Sequence, residues 1–152
     1  MKISKAFGAL IIALQLAGLV VFALSFHALY NVLSSTVSSD EFAVELVIDH
    51  SSGVGALTVN VGPRNQGFLG VELSMELTVV DAGGEYLERN STSGRIDPGG
   101  HRSLALSLVI PAEVIQVFQG EEAFIEVLFE FRTLGGLTGV SNLLRLGGGG
   151  FG

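Results

Sequence analysis

Between Ala6 and Leu33 the chain carries not one Asp, Glu, Lys or Arg. A helix crossing the ~30 Å hydrocarbon core of a bilayer needs roughly 20 mostly apolar residues, because each adds about 1.5 Å. Phe7 to Phe26 supplies that length with only Gln15 and Ser25 as polar interruptions. The stretch predicts a transmembrane helix over 6–33, behind a basic flank at 1–5. After Ser38 the pattern changes: apolar residues alternate with polar ones, and glycines punctuate them. The chain therefore divides into a lipid-length rod and about 115 further residues, enough for one compact core.

Charge orients the rod. Lys2 and Lys5 precede it, and the next basic residue is Arg64. Beyond the rod six arginines face all 15 acidic residues, a balance of −9. Basic residues before the helix, and Asp40, Glu41, Glu45 and Asp49 after it, predict a cytoplasmic N-terminus and an extracytoplasmic C-terminal domain at the cell membrane. An acidic outer domain lacks the basic stripe that nucleic-acid phosphates require, so no nucleic acid is expected as a partner. The absence of cysteine excludes disulfide frameworks, thiol nucleophiles and Cys-ligated zinc.

Three readings fit the first 40 residues. The preferred one is a permanent signal anchor, with Tyr30 and Asn31 at the far interface and His27 as an interfacial polar residue. A cleaved secretory signal finds its basic start in Lys2 and Lys5 and small residues at Ala23 and Ser25. Its apolar core is ordinarily ~7–15 residues, shorter than this run. In the third, Lys5-Ala6 followed by Phe7 and a long apolar helix resembles the processing site of archaeal type IV pilin-like and archaellin-like proteins. That resemblance covers residues 1 to about 38. It implies cleavage before Phe7 and a filament core built from the helix, ahead of a β-rich head. Ala9, Ala13 and Ala17 form a small-xxx-small series that lets helix backbones approach, in a filament, a membrane dimer or a larger complex. Ser34 to Ser39 reads as a polar stalk, giving a linker over 34–41.

From Phe42 the apolar period becomes two, the mark of half-buried strands. Phe42, Val44, Leu46 and Ile48 share one face, and Leu57, Val59 and Val61 another. The longest run places Leu69, Val71, Leu73, Met75, Leu77 and Val79 together, opposite Glu72, Ser74, Glu76 and Thr78. A short polar strand is expected near Tyr86 and Leu87, further alternating strands from Leu104 and from Ala123, and a closing one over Val140 to Leu146. Pro111 to Gln119 breaks the period and reads as a short helix, with Pro111 in its first turn and Gly120 as its C-cap. About seven short strands predict a mainly β fold, an immunoglobulin-like antiparallel β-sandwich over 42–146, followed by a flexible Gly-rich tail at 147–152.

Asn65-Gln66-Gly67, Asp81-Ala82-Gly83-Gly84 and Ile96-Asp97-Pro98-Gly99-Gly100, leading into Ser103 to Leu108, resemble the immunoglobulin-like modules of archaeal and bacterial surface proteins. The CARDB-type and WHy/LEA14-like sandwiches are the nearest in pattern. The resemblance covers roughly residues 42–133 and lies in turn chemistry, so it implies a fold rather than an activity.

Chemistry is sparse. His27, His50 and His101 are scattered, and no His-x-x-x-His, EF-hand loop or Gly-x-Ser-x-Gly elbow appears. No catalytic residue, metal ligand, cofactor or small-molecule substrate is expected; Asp40, Glu41, Asp49 and Asp81 are the acids a weak calcium site would draw on, with nothing in their spacing to assemble them. Three other features point to contacts. Phe124 and Leu128 fall on the solvent side of their strand, either as a partner surface or, preferably, covered by the 111–119 helix or the C-terminal segment. Asn90-Ser91-Thr92 fits a glycosylation acceptor, expected in a polar hairpin loop. Phe151, beyond four glycines, is either part of a frayed end or an apolar anchor for a neighbouring subunit.

The resulting expectation is a non-enzymatic, single-pass ectodomain with a structural or protein-interaction role at the cell envelope. Its partners would be membrane lipid and other copies of itself or another envelope protein. The alternatives are a pilin-like subunit of an extracellular filament and an accessory subunit of a membrane complex.

Overall fold

The computed structural model describes residues 2–38, 40–119 and 123–147, leaving aside the side chains of 2–6, 118 and 119. Helix α1 spans Lys2–Ser38. Seven strands follow: β1 Ala43–Ile48, β2 Gly55–Val61, β3 Val71–Asp81, β4 Tyr86–Ile96, β5 Leu104–Ile110, β6 Ala123–Thr133 and β7 Thr138–Gly147. Helix α2, Ala112–Gln119, joins β5 to β6. The strands form two antiparallel sheets, ordered β1-β2-β5 and β4-β3-β6-β7. This is an immunoglobulin-like sandwich in which the fourth strand pairs with the third instead of joining the first sheet.

Period-two alternation becomes two inner faces. Leu57, Val59 and Val61 of β2 and Leu104 to Ile110 of β5 face Val71 to Val79 of β3 and Ile125 to Phe131 of β6, all buried on alternate residues. Phe129 bridges Phe131 and Phe42, with ring centroids 6.5 and 6.4 Å away. β4 is longer than the short strand expected: it runs through the Ser/Thr-rich 91–93 stretch, because an edge strand exposing polar side chains needs no apolar period.

The two seams of the sandwich differ. Across the β4–β5 seam the Asn90 amide donates to the Ser107 carbonyl at 2.7 Å, and the Arg102 guanidinium donates to the Arg95 carbonyl at 3.1 Å. The β1–β7 seam is open, an apolar groove of about 440 Å³ lined by Phe42, Val44, Val127, Leu144 and Leu146. At one end α2 starts from Pro111, whose carbonyl accepts from the Val114 and Ile115 N–H groups. Pro111 thus precedes the helix instead of lying within its first turn; Gly120 lies outside the described residues.

The expected stalk is not a linker. α1 continues through Ser38, and its last turns pack against β3, β6 and β7. The physical reason lies in the hydroxyls. Ser34 donates to the Asn31 carbonyl, Ser35 and Thr36 to that of Val32, and Ser38 to that of Ser34, so polar side chains that usually pull a chain out of a helix are satisfied within it. Ser25, Ala28, Leu29, Val32 and Thr36, spaced three and four apart, are buried as one stripe, and three of them belong to the sandwich core. The boundary of the rod shifts accordingly: residues 7–23 are bare, and 25–36 belong to the domain.

Candidate functional site: the junction of helix and sandwich

α1 presents two different surfaces. Phe7 to Ala23 is exposed on nearly every side, about 25 Å of uncharged apolar helix at 1.5 Å per residue. A surface of that kind needs lipid or protein around it. Phe7–Ser38 is long and apolar enough to cross a membrane. Ala9, Ala13 and Ala17 all lie on the bare part, with no neighbour from the sandwich. Lys5 and Ala6 are helical, ahead of an exposed Phe7.

The 62–70 segment between β2 and β3 grips the docked half. The Ser35 hydroxyl accepts the Arg64 N–H at 2.9 Å and lies 3.0 Å from the Arg64 carbonyl. Gly67 lies directly on the Ala28 backbone. Asn65, fully buried, holds this segment in shape: its amide donates to the Leu69 and Ile96 carbonyls at 2.8 and 3.0 Å, and its Oδ1 accepts the Gly67 N–H at 2.9 Å. Its backbone pairs with Gly99 and Gly100 in the β4–β5 turn. The motif Asn65-Gln66-Gly67 is visible in the sequence as a turn signal; its role as a helix clamp is not, because that depends on Ala28, far away in the chain. Phe68, next in line, is 72% exposed, and Leu137 on the β6–β7 turn is 87% exposed. The two loops are neighbours: Leu69 and Gly70 line a small cleft with Leu134 and Gly135.

On the far side of the clamp is a polar recess of about 340 Å³, lined by Ser35, Ser38, Asp40, Glu41, Gly62 and Arg64. Glu41 folds over Gly62, where any side chain would meet its carboxylate, and pairs with His101 at 3.2 Å. Asp49 and Asp81 lie at turns elsewhere. Asp49 accepts the hydroxyls of Ser51 and Ser52 and the Ser51 N–H; led by the Ser51 hydroxyl, these bonds hold its pKa down at about 2. Asp81 accepts the Glu85 N–H across the β3–β4 turn. Among the described residues no three His, Cys, Asp or Glu side chains gather as metal ligands. His27 and Asn31 contact each other at 3.0 Å on the exposed side of α1.

The remaining predicted contact residues separate. Phe124 and Leu128 are half-buried on the outer face of the larger sheet, where β7 lies beside them: Arg145 stacks 5.5 Å above the Phe124 ring, and Leu128 pairs with Leu143. Asn90 sits within β4, not in a hairpin loop, because that strand extends past it. Phe151 lies outside the described residues.

No protein-family model matches the chain, and no curated protein matches it. Solved structures resemble it. A Bacteroides uniformis β-glucuronidase 2 is similar over 72% of this chain, at 12% identity and a TM-score of 0.51. A glycosyl hydrolase family 2 member from Bacteroides cellulosilyticus is similar over 70%, at 14% identity and 0.47. The chain spans only 13% and 14% of those two proteins. A protein from Archaeoglobus fulgidus is covered over 92% of its length, with 71% of this chain, at 12% identity and 0.47. At 12% identity the likeness to the β-glucuronidase 2 is one of sandwich architecture.

Proposed function

We propose that this chain is a non-enzymatic surface module, anchored by α1 in a membrane and carrying its sandwich outside the cell. The observation that carries the reading is the bare, uncharged 7–23 segment running without a break into the sandwich core. Lys2 and Lys5 on one side of it, and a strongly acidic domain on the other, support the orientation. The CARDB- or WHy/LEA14-like pattern of turns fits a surface module of this type. Because the chain contains no cysteine, single-cysteine variants report topology directly. On intact cells a membrane-impermeant maleimide should label S141C and leave K2C unlabelled until the cells are lysed. Labelling of K2C alone would end the reading.

A second reading, a pilin-like filament subunit, draws on one particular feature: the docked half of α1 makes rod and head a single body, as assembly through a helical core requires. Sequencing the mature N-terminus separates the two. Phe7 as first residue favours the filament; a retained Met1 favours the anchor.

A further inference from the structure

The bare helix gives a depth scale. If the hydrocarbon ends between Ala23, the last bare residue, and Phe26, Ala28 lies about 3–8 Å beyond its outer boundary, at the level of a headgroup layer of roughly 5–7 Å. The backbone of Gly67 touches Ala28, and the next residue, Phe68, is exposed with its Cα about 3.8 Å further along the chain, so the loop ties it close to that level. Phe26 and Tyr30 are exposed on α1 at that same level. Four of the six arginines of the domain also gather at this end: Arg64 bridges to His101, Arg95 and Arg132 line the cleft beside Leu69, and Arg102 reaches the Arg95 carbonyl. Arg95 pairs with Asp97 and Arg132 with Glu130, whereas Arg64 and Arg102 have no carboxylate partner among the described residues.

We propose that the Phe68 loop is a second membrane contact, its ring inserted among the lipid headgroups beside the aromatic collar of Phe26 and Tyr30. This deepens the membrane-anchor reading and rests on it. The occupant is the bilayer itself. An exposed phenyl ring on a loop clamped by Asn65 inserts at little entropic cost, aromatic side chains favour the interface, and nearby guanidiniums suit lipid phosphates. The sandwich is thus seated on the membrane rather than carried above it.

The chain has no tryptophan, so single-tryptophan variants report depth without background. The full chain is reconstituted into phosphatidylcholine vesicles containing a brominated phosphatidylcholine, as F22W within the span, F68W, and Y86W at the β3–β4 turn. Tyr86 is also exposed but lies at the other end of β3, about 30 Å away. F22W should be strongly quenched, and F68W should be quenched at least about twofold more than Y86W. F68W quenched no more than Y86W, with F22W still quenched, overturns the seat and leaves the anchor intact. A blue-shifted F68W that bromine does not quench assigns the ring to a protein partner and also overturns it. An unquenched F22W removes the anchor reading and the seat with it.

Discussion

The Cβ that Gly67 lacks would lie 2.7 Å from the Cα of Ala28. The Gly67 backbone therefore sits against Ala28, Cα and methyl alike, and neither can retreat, since one is on a helix and the other is pinned by Asn65. Gly67→Ala should push the loop off α1 and destabilise the full chain in detergent by about 1–3 kcal/mol. Thermal unfolding followed by circular dichroism measures it. An unchanged midpoint would mean that the helix is not clamped there.

Asn65 satisfies two carbonyls and one N–H inside the protein. Asn65→Ala removes the bonds to all three, and each buried group left without a partner costs on the order of 1–3 kcal/mol before relaxation or entering water repays part of it. A net loss of about 2–4 kcal/mol is expected from denaturant titration, against less than about 0.5 kcal/mol for the neighbouring, exposed Gln66→Ala.

Thr133 gives the opposite case. Its hydroxyl is buried at the end of β6 and has no hydrogen-bond partner among the described residues. Thr133→Val keeps the shape and removes the unmet group, so stability should rise by about 1 kcal/mol. A loss on the same denaturation curve would show that the hydroxyl is bonded in solution.

Asp49 responds to acid in a defined direction. Its folded pKa of about 2 lies below the ordinary 3.8, so the folded state favours the charged carboxylate. That contribution to stability is complete above the ordinary value and is lost as pH falls towards 2. Ser51→Ala removes the largest cause and should move the carboxyl titration, followed by NMR, upward towards the ordinary range. A midpoint that stays near 2 would assign the shift to another cause.

The architecture was legible because each layer has its own period. Val71 to Val79 and Ile125 to Phe131 announce buried strand faces at every second residue, and the uncharged 6–33 stretch announces a helix. The boundary between rod and domain was not. Ser34, Ser35, Thr36 and Ser38 look like a stalk until their hydroxyls are seen bonded one turn back and their neighbours buried against β-strands. β4 was similarly hidden, since its polar residues owe their strand to pairing with β3, which no local pattern records. Phe68 follows the legible turn signal Asn65-Gln66-Gly67 but belongs to no apolar period of its own. Its significance comes only from the helix level to which Gly67 ties it.

Rod and head turn together, because the stripe from Ser25 to Thr36 interlocks with the sheets. An alanine inserted after Ala23 would swing the whole sandwich by about 100° around the rod and lift it by about 1.5 Å. The heading of the sandwich about the helix axis is thus written in the number of residues that precede Ser25.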